Sequence, residues 1–555
     1  MLLVILWIVL ALIILIGLII AYLAYKGYVE HPAVTQGHLK RLHRFEPEKN
    51  YFVLGNNRLK KSEYDHWEMY VEGGAYDRGI AIGKLTAELF DIQEKAFKKE
   101  ICRYVPNGFY IQVLMVIVAW INRNISAKIP KEYDHEIFGI ADSLGLRYFF
   151  RNFKYFKILN YHAAHDIGHA LANLNLVGCT SFSVKNTKTI DGSVMSGRNF
   201  DFHFGDDFSK EKIVAFYAPD SGYKFAMITW AGMIGTLSGI NVKGLCVTVN
   251  GAKSHLPKKV STPVSLLLRE ILQYASNIEE AYKIACKRKI IMSEAIMVTS
   301  AIDKRAVLIE KSEKNTVIYD TLDDVLICTN HLQSNEFFND KVNQENIAGG
   351  STQYRYDKVN ELISEKEKFV INDLASILRN RDGLNGKDIG LGNEKVINQL
   401  IAHHAVIFKP DELKFWVSSQ NCTLGEFVCY DLNNVFDRFP KTNSSEDISE
   451  KVLNIPEDKF IPEGYNNYQL YRRMFNKIKL LKKSNRISDD EIKQFVSLNP
   501  EYYQTYLLLV DYFYARGDYQ KACDHLEMAL KKEITFDTDK ERMVRKLKKI
   551  QNKIG

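Results

Sequence analysis

Two hydrophobic patterns divide the chain. From Leu2 to Tyr22 there is no charge and almost no polar group. About 20 apolar residues at 1.5 Å rise cover a hydrocarbon core of about 30 Å. Trp7, Tyr22 and Tyr25 are placed to sit near its interfaces. A cleaved signal peptide would have a shorter apolar stretch, a basic start and small residues at a cleavage site. None is clear here, so residues 1–25 are expected to be an uncleaved single-pass anchor. Lys26, Lys40, Arg41 and Arg44 follow it. The positive-inside rule then favours a cytoplasmic body, though sidedness stays open.

Beyond a polar linker (26–50), helical periodicity runs from Ala75 to Lys99. Val113–Ile121 is too short to span a bilayer and reads as a buried helix. Phe153–Leu174 is helical and carries Tyr161, His162, His165 and His169. Short β-type runs follow, bounded by Gly, Asn and Asp: Thr180–Val184, Ile213–Tyr217, Phe225–Trp230, Leu245–Val249, Ala295–Thr299, Ala306–Glu310 and Thr316–Tyr319. Helices are expected at Pro263–Tyr274, Ile278–Lys287 and Asn372–Asn380, and strands at His403–Phe408 and Leu413–Ser419. Clustered strands with clustered helices predict α+β layers, not an alternating βαβ fold. A polar linker (441–460) leads to a helical, basic tail (461–555). Within Asn499–Ile534, Tyr506, Leu509, Phe513, Gly517, Tyr519, Ala522, Leu526, Ala529 and Leu530 have the spacing of one tetratricopeptide helix–turn–helix. One repeat cannot stand alone, so it must pack on neighbours such as Tyr468–Lys482 and Glu541–Lys549.

Composition narrows the function classes. Hydrophobic residues at 46% and charged residues at 25% of 555 exclude a mainly disordered chain. A net charge of +7, from 74 basic and 67 acidic residues, does not describe a nucleic-acid binder. Eight scattered cysteines form no CxxC pair, which argues against zinc or thioredoxin-like chemistry. His165 and His169 share a helical face but lack an acidic or thiol partner, so no metal is expected.

One cysteine stands apart. Gly178-Cys179-Thr180-Ser181 opens the strand-rich region and is followed by Gly197-Arg198-Asn199-Phe200-Asp201. Then come Lys243–Gly251 ending in Asn250-Gly251, Cys328-Thr329-Asn330-His331, and Ser351-Thr352-Gln353-Tyr354-Arg355. This ordered set resembles the cysteine N-terminal-nucleophile (Ntn) hydrolases, most closely the penicillin acyltransferase-like family. Bile salt hydrolases and acid ceramidase are more distant. The Gly-rich stretch Val71–Gly83 is similar to the opening of the family's pro-segment, and Phe415-Trp416-Val417-Ser418 to a late strand. The resemblance covers about 51–440 and implies a four-layer αββα sandwich, with a pro part (51–178) and a catalytic part (179–440).

The chemistry follows from the residue type. A thiol of ordinary pKa is a modest nucleophile at neutral pH. A cysteine at a chain's start carries its own base, because an α-amine titrates near 8. Cys179 is internal, so the Gly178–Cys179 bond would first be cut by Cys179 Sγ through a thioester. Glycine at 178 tolerates strain and leaves the carbonyl open.

Further roles are implied by the resemblance. Arg198 would favour the thiolate, and Asp201 would orient the new ammonium. Asn250 and Asn330 would donate to the oxyanion, and Arg355 would pair with a carboxylate or the substrate. The alternatives are a buried strand cysteine, a structural Arg198–Asp201 pair, a hairpin turn at Asn250-Gly251, a similar turn at Asn330 and a surface Arg355. His403 and His404, neighbours in an expected strand, would face opposite ways.

The expected function is a self-processing amidohydrolase or acyltransferase without cofactor. Its substrate would be a small amide or acyl donor, lipid-like if the anchor sets it, and the tail would offer a surface to a protein partner. Two readings compete: a Cys–His thiol hydrolase without self-cleavage, and an inactive tethered interaction protein.

Overall fold

The computed structural model describes residues 2–26, 30–34, 37–104, 108, 110, 117–118, 120, 122–144, 151–170, 178–202, 205–253, 261–419, 422–441, 446–482 and 484–554. The expected helix at Val113–Ile121 falls mostly outside them. So do the side chains of His165 and His169, which lie in the helix Arg151–Ala170.

Four strands precede Gly178: β1 (Phe45–Glu48), β2 (Tyr51–Leu54), β3 (Asn57–Lys61) and β4 (Trp67–Gly73). Next come β5 (Thr180–Val184) and β6 (Met195–Phe200). The run β7 (Ile213–Pro219), β8 (Phe225–Thr229), β9 (Ser238–Asn241), β10 (Leu245–Gly251), β11 (Glu294–Ser300), β12 (Arg305–Lys311) and β13 (Thr316–Tyr319) follows. The last are β14 (Val325–Cys328), β15 (His404–Lys409), β16 (Lys414–Ser418) and β17 (Phe427–Asp431). Among the described residues these make two sheets. The larger runs β1-β2-β3-β4-β7-β8-β9-β10-β11-β12-β13, and the smaller β14-β5-β6-β15-β16-β17.

Alternation along each strand sets the layers, because successive side chains face opposite ways. In β7, Val214 and Phe216 join a core with Val406, Phe408, Val417 and Tyr430 of the smaller sheet. Ile213, Ala215 and Tyr217 instead meet the helices Ala75–Leu85, Lys131–Ser143 and Val264–Tyr274. On the far side, Phe182, Ala405, Ile407 and Trp416 pack on the helices Thr352–Ser364 and Ile371–Leu378. The order is helices, sheet, sheet, helices.

The segment before Gly178 is woven into this body. β4 pairs parallel with β7 over its whole length, from Trp67 opposite Ile213 to Gly73 opposite Pro219. Buried Arg78 bonds Glu136 at 2.7 Å, and Glu136 also pairs with Arg269 from beyond the cysteine at 3.4 Å. Residues read as linker contribute too: β1 pairs with β2, and Leu39 is buried.

The Gly-rich stretch has a packing reason. A Cβ on Gly79 would lie 2.0 Å from the Glu136 carbonyl oxygen, and one on Gly139 2.3 Å from that of Tyr76. The helices Ala75–Leu85 and Lys131–Ser143 therefore cross with backbones in contact. Gly79→Val is expected to destabilise the protein by about 3 kcal/mol, because backbone cannot yield as a side chain can. A lowered denaturant midpoint in chemical unfolding would register it.

The helix Leu2–Lys26 has 25 residues, and its described side chains, Ile5 to Tyr22, are largely exposed. Among the described residues, no helix is long and apolar enough to cross a membrane. Several side chains of Leu2–Lys26 lie outside the described residues, and the anchor expected at 1–25 is an expectation from the sequence alone. In the tail, the helices Tyr503–Tyr514 and Tyr519–Leu530 form a hairpin. Gly517 takes φ +82° at its turn, and the Asp518 side chain caps the second helix. They share a core with Asn466–Lys479 and Asp489–Leu498, and Leu400, Cys422 and Leu424 of the sandwich enter it.

Candidate active site

The site lies where the smaller sheet meets the larger. Cys179 immediately precedes β5, Arg198 sits on β6, and Asp201 follows β6. Asn250 lies on β10, Asn330 just after β14, and Arg355 in the helix Thr352–Ser364. The register brings Arg198 opposite Ser181 and Thr180 opposite Asn199. Elements far apart in sequence thus converge on one buried corner: Cys179, Arg198, Asp201, Asn250 and Arg355 are at most 1% exposed, and Asn330 is 9% exposed.

Arg198 lies below the thiol. One guanidinium nitrogen is 3.7 Å from Cys179 Sγ and also donates to the Val249 carbonyl. The other donates to Ser238 Oγ at 2.7 Å and the Leu237 carbonyl at 3.3 Å. Its carbon stands 4.3 Å from the centre of the Phe200 ring. Burial pushes the Cys179 thiol up from its ordinary value; Arg198 pulls it down and the Asp201 charge adds to the rise.

Arg355 holds the residue's other side. It donates to the Cys179 carbonyl at 2.6 Å, to Thr180 Oγ1 at 2.9 Å and to Asn330 Oδ1 at 2.7 Å. It is a buried clamp on backbone, not a surface cation. Asn330 Nδ2 donates to the Gly251 carbonyl at 2.8 Å. Asn250 Nδ2 donates to the Cys328 carbonyl at 2.8 Å, and its Oδ1 accepts from Ser181 at 2.9 Å. Asn250 pairs opposite Ala295 within a ladder, so it is not at a hairpin turn. Each amide keeps one further N–H, and both amides are oriented by these partners.

Asp201 differs from all of these. Fully buried, it has no hydrogen-bond partner on either carboxylate oxygen among the described residues. It is therefore no ion-pair partner of Arg198. Burial pushes its carboxyl up to about 7, against the pull of Arg355 and Arg198.

Two groups at the site, Gln399 and Ser238, were not read from the sequence. Gln399 Nε2 donates to the Gly178 carbonyl at 2.9 Å. Ser238 Oγ bridges Arg198 to His404 Nε2, 2.9 Å away. His404 Nδ1 in turn meets His403 Nδ1 at 2.9 Å, which corrects the expectation that the two rings face apart. His403 precedes β15, so strand alternation does not govern it. Among the described residues no histidine bonds the Cys179 thiol, and no group of three His, Cys, Asp or Glu is placed to hold a metal. Nothing in the run Val396–Ala402 marks Gln399 over its polar neighbour Asn398.

A small aromatic pocket, open to solvent on one side and with a cavity volume of about 50 Å³, lies nearby, lined by Phe90, Phe97 and Tyr161 from before Gly178 and by Phe202, Phe208 and Trp230 from after it. Phe202 directly follows Asp201 and stacks on Phe200 at 5.3 Å.

A buried cysteine behind a glycine, ringed by two arginines, two asparagines and an unpaired aspartate on a two-sheet sandwich, is the arrangement that the resemblance to the Ntn hydrolases implied. Residues 187–421 match the family described as acyl-coenzyme A:6-aminopenicillanic acid acyl-transferase, in line with the resemblance read from the sequence. The matched segment begins after Cys179. Protein dcd1A of Dictyostelium discoideum is 27% identical over 240 residues, 39% of this chain and 51% of its own length. An uncharacterized protein of Archaeoglobus fulgidus is 23% identical over 227 residues, 38% of each chain. The chain thus spans about half or less of these curated relatives. Among solved structures, a Caenorhabditis elegans N-acylethanolamine-hydrolyzing acid amidase ortholog has 17% identity and a TM-score of 0.30, over 42% of this chain and 93% of its own. A mutant of the Clostridium perfringens conjugated bile acid hydrolase has 12% identity and a TM-score of 0.33, over 46% and 92%.

Proposed function

We propose that the protein is a self-processing cysteine amidohydrolase or acyltransferase. The observation that carries this reading is the Asp201 carboxylate, buried beside the intact Gly178–Cys179 bond with no hydrogen bond to either oxygen. An unpaired buried carboxyl costs several kcal/mol. Cutting the bond creates an α-ammonium on Cys179, the partner that this position lacks.

In the intact chain, Cys179 Sγ attacks the Gly178 carbonyl carbon as its proton passes to Asp201. The C–N bond breaks, the nitrogen takes the proton, and Gly178 is left as a thioester on Sγ. Water then opens the thioester and regenerates the thiol. In the mature chain the α-amine accepts the thiol proton, and Sγ attacks the substrate acyl carbon. The free N–H groups of Asn250 and Asn330 face the oxyanion, with Arg198 beside the sulfur. Removing one such donor typically costs about 10²–10³ in rate. The leaving group takes the proton, and water or an amine accepts the acyl group.

The aromatic cavity suits an apolar acyl chain, since it is walled from both sides of the cut and adjoins Asp201 through Phe202. The apolar helix Leu2–Lys26 holds the protein at a membrane, where such substrates concentrate. By the positive-inside rule the basic residues after it favour a cytoplasmic body, and the side is left open by this reading. The C-terminal helices, read as one tetratricopeptide-like unit with flanking helices, present a surface for a protein partner.

The test is amino-terminal sequencing of the purified protein on a denaturing gel. Two chains are expected, the larger beginning at Cys179. A full-length chain with thiol-dependent activity would overturn self-processing.

A further inference from the structure

We propose that Gln399 is a catalytic residue of the self-cleavage step, binding the Gly178 carbonyl oxygen, and that the C-terminal helices hold it in place. The proposal rests on the self-processing reading above.

Gln399 is 2% exposed, and its Nε2 stands 2.9 Å from the Gly178 oxygen. A Cβ on residue 178 would fall 2.3 Å from that nitrogen, so only glycine permits the contact. The scissile peptide is fixed around it: Gly178 N–H donates to the Asp201 carbonyl at 3.3 Å, and Arg355 holds the Cys179 carbonyl. When the Sγ–C bond forms, the C=O electron pair moves onto this oxygen. A donor already aimed there stabilises the developing charge without reorganising. When the C–N bond breaks, the oxygen becomes the thioester carbonyl. Asn250 and Asn330 give N–H bonds to Cys328 and Gly251, not to Gly178. Among the described residues, Gln399 is the side chain that donates to this oxygen.

The support of Gln399 comes largely from the tail. Its neighbour Leu400 adopts φ +56°, a conformation unfavourable for a non-glycine residue. The Leu400 side chain is locked in the same apolar core as Tyr468, Phe495 and Leu509. Its carbonyl accepts from Cys422 Sγ at 2.9 Å. On the other side, Asn398 Nδ2 donates to Thr423 Oγ1 at 2.9 Å. Further back, Asn499 of the tail exchanges two hydrogen bonds with the Leu391 backbone, at 3.0 and 2.9 Å. Lys395 pairs with Glu533 at 2.7 Å, and Thr535 Oγ1 bonds Asn393 and Glu394. The loop that presents Gln399 is thus pinned at several points to the C-terminal helices, with Asn499 as a positioning residue.

The experiment follows appearance of the chain starting at Cys179 after synthesis of the full protein. Gln399→Met, similar in volume but without a donor, is expected to slow cleavage by about 10²–10³-fold. Gly178→Ala reads the same contact from its other side and is expected to slow cleavage too, which keeps the test open if Gln399→Met does not fold. Asn499→Ala is expected to slow cleavage several-fold alone and no further in Gln399→Met. Wild type is run in parallel. If wild type stays uncut, self-processing itself fails. If wild type cuts and folded Gln399→Met cuts as fast, the role of Gln399 fails alone. If Asn499→Ala slows both backgrounds equally, the tail does not act through Gln399.

Discussion

Cys179→Ala is expected to remain one uncut chain of 555 residues, while wild type separates into Met1–Gly178 and Cys179–Gly555 under denaturing conditions. Alanine leaves no atom to attack the Gly178 carbonyl, and the neighbouring donors lose their purpose. Activity toward any acyl substrate should fall by about 10⁶-fold, the scale seen when a nucleophile is removed from an acyl-transfer enzyme. The fold should tolerate the change, since a buried Cys→Ala removes one sulfur and costs on the order of 1 kcal/mol. Wild type should nevertheless run as one species without denaturant. The parallel β4–β7 pairing and the Arg78–Glu136–Arg269 cluster join the two parts across the cut. Intact mass and size exclusion check both statements. Cleavage that persists in Cys179→Ala would show that another protease makes the cut.

The candidate site residues could be picked out in the sequence because they lie in short, local motifs. Cys179, Arg198, Asp201, Asn250, Asn330 and Arg355 each sit in a recognisable neighbourhood, and the register of β5, β6 and β10 brings them together. Strands with plain alternation were also legible: Thr180–Val184 and Thr316–Tyr319 have the expected bounds. β6 was missed because its Ser, Gly, Arg and Asn are all buried for the site's sake, which erases a polar face. β3 hides likewise, since Asn57, Arg58 and Lys60 are buried and bonded to backbone carbonyls. The helix expected over Ala75–Lys99 divides at Thr86, whose side chain bonds back to the Ile82 carbonyl. Gln399 lies 221 residues from the carbonyl it touches, and no local pattern reports such a contact.

A second large effect is expected at Asp201, and it carries a sign. In the uncut chain burial raises this carboxyl from 3.8 to about 7. Between those values the folded state holds a proton that the unfolded state has lost. Stability therefore falls as pH rises through this window and levels off above about 7. Across the window the loss amounts to on the order of 4 kcal/mol. Unfolding of Cys179→Ala, which stays uncut, should show this fall between about pH 4 and 7. Adding Asp201→Asn should remove that part of the slope, because asparagine does not titrate; other buried acids such as Glu68 contribute equally to both variants and cancel in the comparison. In mature wild type the new ammonium favours the ionised carboxylate, so the slope should be absent there as well. With Cys179 present, Asp201→Asn should slow self-cleavage by about 10²–10⁴-fold, the range for losing a positioned proton acceptor. In wild type the cleavage rate should rise with pH up to about 7, as Asp201 becomes able to take the thiol proton. Equal pH slopes in the single and double variants would mean that Asp201 is already satisfied before the cut. The ammonium would then lose its argued role as the missing partner.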